Sequence, residues 1–96
     1  MTIGQEFVKG DEVRLKATFR DFSGTLVDPS AMTLKVYDNT GTAVLTKALA
    51  DLTREGLGVY HYDWVTTAIG DFIYEFSGTL ASGATVIFDR FSVVYH

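Results

Sequence analysis

The sequence predicts an all-β protein, an immunoglobulin-like β-sandwich of about seven antiparallel strands in one domain spanning residues 1–96. Three observations carry that expectation. Apolar and polar residues alternate at period two along several segments, which sets one face of each strand on a core and the other in water. Turn residues separate these segments at the spacing typical of a sandwich or small barrel. Aromatics make up 14% of the chain and Pro29 is the single proline, so strands are favoured and seldom interrupted.

A short first strand is expected over 5–9, with 1–9 acting as an N-terminal arm or edge strand. The clearest strand is 11–21: Val13, Leu15, Ala17 and Phe19 point one way, and Arg14, Lys16, Thr18 and Arg20 the other. Wound into a helix, the same apolar residues would scatter around the axis. Ser23-Gly24 and Asp28-Pro29-Ser30 then supply turn chemistry, and Pro29 bars a central strand there. Strand 32–38 turns Met32, Leu34 and Val36 inward. Asp38-Asn39-Thr40-Gly41 is a tight turn, because Asn and Gly accept positive φ, and 42–48 returns antiparallel. The stretch 49–55 reads as a loop crossing between the two sheets, being too short to hold a helix alone. Strand 58–66 carries Tyr60, Tyr62 and Trp64 on one face, and 71–80 carries Phe72, Tyr74 and Phe76 at the same spacing. Ala81-Ser82-Gly83-Ala84 forms a hairpin turn into a long last strand, 85–95, with Phe91, Val93 and Tyr95 in alternation. Phe22-Ser23-Gly24-Thr25-Leu26 recurs as Phe76-Ser77-Gly78-Thr79-Leu80; without matching flanks, shared strand-end chemistry accounts for it better than duplication.

Composition narrows the function. A net charge of −4 is the wrong sign for a protein that lives on phosphate contacts, so nucleic acid is not an expected partner. The basic stripe Arg14, Lys16 and Arg20 reads as a solvated face or as cross-strand salt links. Without cysteine there is neither a disulfide framework nor a thiolate site. His61 and His96 have no ligand-spaced neighbours, and Asp38-Asn39-Thr40-Gly41 lacks the alternating acidic ligands of a calcium loop, so no metal is expected. Gly56-Leu57-Gly58 opens like a dinucleotide fingerprint, but His61 stands at the third glycine position and no helix follows; no cofactor is implied. No nucleophile elbow is present. Asp11 and Glu12 open a strand, Asp38 and Asp71 fall in turns, and Asp63 and Glu75 lie on outer faces, so no catalytic residue is assigned and no enzyme is expected. Apolar runs fall far short of the ~20 residues that cross a bilayer, and Met1-Thr2-Ile3-Gly4-Gln5-Glu6 has no basic start or apolar stretch, so neither a membrane span nor a secretory leader is expected.

An apolar surplus is left over. Leu57, Val59 and Val65 fall on the face opposite Tyr60, Tyr62 and Trp64, and Val86, Phe88 and Val94 make the last strand apolar on both sides. A strand of a two-layer sandwich has one wet face. These six residues are therefore the candidate interface, covered by a loop of the same domain or by a neighbouring subunit.

The run Gly10-Asp11-Glu12-Val13-Arg14-Leu15-Lys16-Ala17-Thr18-Phe19 is followed by Gly24-Thr25-Leu26-Val27-Asp28-Pro29-Ser30 and Thr33-Leu34-Lys35-Val36-Tyr37-Asp38. Gly58-Val59-Tyr60-His61-Tyr62-Asp63, Ile69-Gly70-Asp71-Phe72-Ile73-Tyr74-Glu75-Phe76-Ser77-Gly78-Thr79 and Phe91-Ser92-Val93 complete the pattern. In this order they resemble the small Ig-like virion structural proteins of tailed bacteriophages. One departure is Ile69, where that family often has proline; Ig-like modules of secreted adhesins share much of the same strand grammar. The resemblance implies a non-enzymatic capsid decoration, neck or head–tail connection protein, present in several copies per particle among other virion proteins. It implies a location in the virion, and in the host cytoplasm during assembly. The alternative is an Ig-like binding module that recognises carbohydrate or a host surface through Trp64, Tyr37 and Tyr62.

Overall fold

The computed structural model describes residues 5–94 except 82, and of residues 5 and 6 only the backbone. Residues 1–4 of the expected N-terminal arm, Ser82 of the last turn, and Tyr95 and His96 lie outside the described residues. The strands are β1 Gln5–Val8, β2 Glu12–Thr18, β3 Ala31–Tyr37, β4 Ala43–Ala48, β5 Thr53–Gly56, β6 Val59–Val65, β7 Gly70–Leu80 and β8 Gly83–Val94. They form an all-β sandwich of a five-stranded sheet, β1-β8-β7-β3-β4, and a three-stranded sheet, β2-β6-β5. No helix among the described residues is long and apolar enough to cross a membrane.

The period-two pattern is realised residue by residue. Val13, Leu15 and Ala17 of β2 are buried while Glu12, Arg14, Lys16 and Thr18 between them are exposed. From the facing sheet come Met32, Leu34 and Val36 of β3, Phe72 and Phe76 of β7, and Phe91 and Val93 of β8. Trp64 sits edge-on to Phe72 and Phe91, with ring centroids 5.6 and 6.0 Å apart, the geometry that aromatic quadrupoles favour. Gly78 lies on this inner face because a Cβ there would stand 2.8 Å from the Phe19 ring.

Three details differ from the sequence reading. The stretch 49–55 does cross from one sheet to the other, but only residues 49–52 are needed: Leu49–Asp51 make a single 3-10 turn and Thr53–Gly56 add an eighth strand to the edge of β6. Not all pairs are antiparallel, since β1 runs parallel to β8, Gln5 opposite Phe91 and Val8 opposite Val94. Asp71 lies within β7 rather than in a turn and accepts a 2.6 Å hydrogen bond from Ser92 Oγ.

The echoed pentapeptides prove structurally unrelated: Phe22–Leu26 surrounds a turn, whereas Phe76–Leu80 lies in β7. A different echo is structural. Asp21-Phe22-Ser23-Gly24-Thr25 and Asp38-Asn39-Thr40-Gly41-Thr42 share Asp, Ser or Thr two residues on, then Gly-Thr. In the first, Asp21 Oδ1 accepts from Ser23 N–H, Ser23 Oγ and Thr25 N–H; in the second, Asp38 Oδ1 accepts from Thr40 N–H, Thr40 Oγ1 and Thr42 N–H. The glycines take φ of 86° and 84°, which closes a three-residue hairpin loop with a glycine bulge. These bonds hold both carboxyls below the usual aspartate range, the Ser23 and Thr40 side chains contributing most.

Candidate functional site

The outer face of the five-stranded sheet follows from the register. Odd-numbered residues of β3 and β7 and even-numbered residues of β8 point outward, so Phe88 sits across from Glu75 and Lys35, and Val86 across from Ser77 and Thr33. Arg90 lies beside Ile73, which neighbours Tyr37. On this face Val86 is 55% and Phe88 68% exposed, with Ile73 diagonal to Phe88 at 41%. Diagonal partners across an antiparallel pair lie within reach of aromatic side chains, so the three make one apolar strip. No loop among the described residues covers it. Arg90, Glu75 and Lys35 give it a polar margin.

The six residues expected to form one interface are divided between two faces. Val86, Phe88 and Val94 share the outer face of the five-stranded sheet. Val94 is half-buried and stands eight residues from Val86, roughly 27 Å along the strand. Val59 and Val65 lie on the outer face of the other sheet, opposite Thr18 and Glu12, and exposed Leu57 sits in the turn before β6.

Between Val59 and Val65 runs a ladder of charge. Arg14 clasps Asp63 through two bonds of 2.8 and 3.0 Å, and Lys16 Nζ lies 3.4 Å from Glu55. His61 is buried between them, Nδ1 2.7 Å from Glu55 and Nε2 3.8 Å from Asp63. The Asp63 carboxyl is held low first by its bond from Arg14, and that of Glu55 first by its bond from His61. The basic stripe is thus tied into cross-strand salt links at Arg14 and Lys16, while Arg20 donates to the Gly24 carbonyl. Among the described residues no group of three acidic or histidine side chains is placed to hold a metal ion.

The three aromatics expected as a stacking platform do not converge. Tyr62 and Trp64 pack from the inner face of β6 against the core, whereas Tyr37 is on the far side of the other sheet. Tyr37 instead borders an open groove of about 520 Å³ shared with Asp38, Asn39, Asp71, Ile73 and Arg90. Four exposed apolar residues escaped the sequence reading, Phe22, Val44, Ile69 and Ile73. Ile73 is legible in the sequence, because alternation turns its neighbours Phe72 and Tyr74 inward. Phe22 is fully exposed at the tip of the Asp21 turn, a consequence of hydrogen bonding at Asp21 that alternation does not register.

Neither protein-family profiles nor curated proteins match this sequence. Among solved structures, the chain is similar to an engineered protein (TM-score 0.72, 17% identity), covering 96% of this chain and 18% of that one. It is also similar to the endo-β-1,4-mannanase from Thermotoga petrophila (TM-score 0.69, 21% identity), covering 99% of this chain and 18% of the enzyme. CopC from Methylosinus trichosporium OB3b is matched over 99% of this chain and 87% of its own (TM-score 0.70, 17% identity). At these identities the likeness concerns the sandwich fold.

Proposed function

We propose that this domain is a non-enzymatic structural component of a tailed-phage virion, a capsid decoration, neck or head–tail connection subunit that works through protein–protein contact. The observation that carries the reading is the apolar strip Val86–Phe88–Ile73, exposed on a regular sheet and rimmed by charge. Burying a Phe or Val side chain is worth about 1.5–3 kcal/mol, and here that gain is available only on association. Repetition of the subunit on a symmetric particle multiplies such modest contacts. The virion context rests on the sequence resemblance. Two measurements test the reading. Purified particles should contain the protein, located by labelling or electron cryomicroscopy, and Val86→Ser/Phe88→Ser should fold but no longer attach. Absence from particles, or full attachment of the double variant, would refute it.

The groove beside Tyr37 favours a second reading, a binding module for carbohydrate or a host surface, since an aromatic edged by Asp71, Asn39 and Arg90 offers both stacking and hydrogen bonding. A glycan array with the wild type and Tyr37→Ala separates the two: saturable sugar binding lost in a folded Tyr37→Ala protein would promote it.

A further inference from the structure

β8 is paired with β7 along its whole length, Gly70 to Leu80 against Val93 to Gly83, but on its other side β1 covers only Phe91 to Val94. From Gly83 to Arg90 no described strand lies on that side. Two hydrogen bonds show which backbone groups face it. Val94 C=O accepts Lys9 N–H on the β1 side, and Thr79 C=O turns away from β8 to accept Ser30 N–H. Because N–H and C=O directions alternate along a strand, Ala84, Val86, Phe88 and Arg90 direct their backbone groups to the open side. Arg90 N–H is already taken by Asp89 Oδ1, at 2.8 Å. Among the described residues the open stretch is therefore centred on Val86.

The other long edges carry devices that discourage pairing. β2 presents Glu12, Arg14 and Lys16 on alternate positions. β4 has a register shift opposite Val36 and Tyr37, and turns Lys47 inward, 5.5 Å from the centre of the Tyr62 ring. Bulges and inward charges are the usual protection of an edge. Gly83 to Phe88 has neither charge nor proline, and its register with β7 is unbroken.

We infer that this edge pairs with the same edge of a second copy, antiparallel about a two-fold axis at Val86. The inference deepens the assembly reading by naming a partner and a surface. In this register Val86 meets Val86 of the other copy and Ala84 meets Phe88, so the largest outward side chain of this edge lies beside the smallest. Thr85 meets Ile87 on the inner face. Asp89 falls opposite Gly83, so no like charges are opposed although each chain carries −4. A register shifted to place Arg90 against Ala84 would require the N–H that Asp89 occupies.

The chain has no cysteine, so single cysteines report cleanly. Hydrogen-bonded antiparallel partners have Cα atoms about 5.5 Å apart, within disulfide reach, whereas positions two residues off the axis are about 14 Å from their own copies. Oxidised Val86→Cys should become a covalent dimer at least tenfold faster than Ala84→Cys or Thr46→Cys. Light scattering at high concentration should give twice 10.6 kDa for the wild type and 10.6 kDa for Val86→Lys. A wild type that stays at 10.6 kDa with no preferential cross-linking of Val86→Cys would overturn the pairing. So would faster cross-linking of Ala84→Cys, or slow amide exchange at Val86 and Phe88 in a monomer, which would mean the chain covers its own edge. A monomer that still joins particles would sink the dimer but leave the assembly reading intact.

Discussion

Gly58→Ala tests how the two sheets are joined at the start of β6. Gly58 has φ of 75°, and a Cβ would lie 2.7 Å from Phe19 O, 2.8 Å from Val27 O and 3.0 Å from Val27 N, all backbone atoms that cannot rotate away. The left-handed conformation alone costs a non-glycine residue roughly 1–2 kcal/mol. Relieving the clash must also disturb Phe19 N–H to Gly58 C=O (2.8 Å), Val27 N–H to Phe19 C=O (3.1 Å) and Gly58 N–H to Asp28 Oδ1 (2.7 Å). At about 0.5–1.5 kcal/mol for each neutral bond, the first two add about 1–3 kcal/mol, and the bond to the Asp28 carboxylate about 1.5–3 kcal/mol more. Gly41→Ala is the control: its φ is 84° but nothing lies within 4 Å of the added carbon. Urea unfolding followed by tryptophan fluorescence should place Gly58→Ala at least ~3 kcal/mol below wild type and Gly41→Ala ~1–2 kcal/mol below. A domain of this size has only about 5–14 kcal/mol to lose. Equal midpoints for the two variants would refute the clasp and leave only the dihedral effect.

Acid should weaken the domain through its turns. The folded-state pKa of Asp21 and Asp38 is lowered, so their stabilisation is present above the ordinary carboxylate pKa, about 3.9, and disappears as pH falls through the lower folded value. Asp21→Asn/Asp38→Asn should therefore flatten the acid limb of urea midpoints measured from pH 7 to 2, and an unchanged limb would count against the carboxylate bonds. Gly78→Ala should cost ~1–3 kcal/mol by crowding Phe19, and less in a Phe19→Leu background, as a double-mutant cycle of unfolding free energies would read. Phe76→Ala, at a fully buried centre of β7, should cost ~3–5 kcal/mol by calorimetry or denaturant unfolding.

The inner faces were legible because burial and alternation are one signal: Val13, Leu15, Ala17 and Phe19 needed only period two to be placed together. The outer faces were legible one residue at a time but not as surfaces. Val65 and Val86 look alike in sequence, yet β6 and β8 belong to different sheets, and pairing across strands decides which neighbours an outward residue meets. His61, Glu55 and Asp63 converge for the same reason, through the β5–β6 register, in a stretch whose sequence reads as loop. Asp28 reads as a turn residue, but its carboxylate also receives Arg54, Gly58 N–H and Tyr60 OH, and so ties its turn to the β5–β6 hairpin some 26 residues on, a link that sequence spacing does not announce. The Asp-x-Ser/Thr-Gly-Thr repeat was open to inspection all along, since each bond it makes lies within five residues.

How strong an association the β8 edge can support follows from the same exposures. Two copies would cover one flank of two Val86 and two Phe88 side chains, each now somewhat more than half exposed and still facing outward in the paired sheet. Full burial of the four would give roughly 4–7 kcal/mol at about 1.5–3 kcal/mol per side chain, and edge pairing captures only part of that. Six main-chain hydrogen bonds add to this, each modest because water already satisfies the free edge. Against it stands the loss of translational and rotational freedom, estimated at about 4–15 kcal/mol. The balance gives a weak pair, populated at high concentration and sparse when dilute. Weakness suits a subunit that is held by repetition: on a particle, neighbours fixed by other contacts meet at a high effective concentration, and an edge too feeble to make a tight dimer in dilute solution would then close.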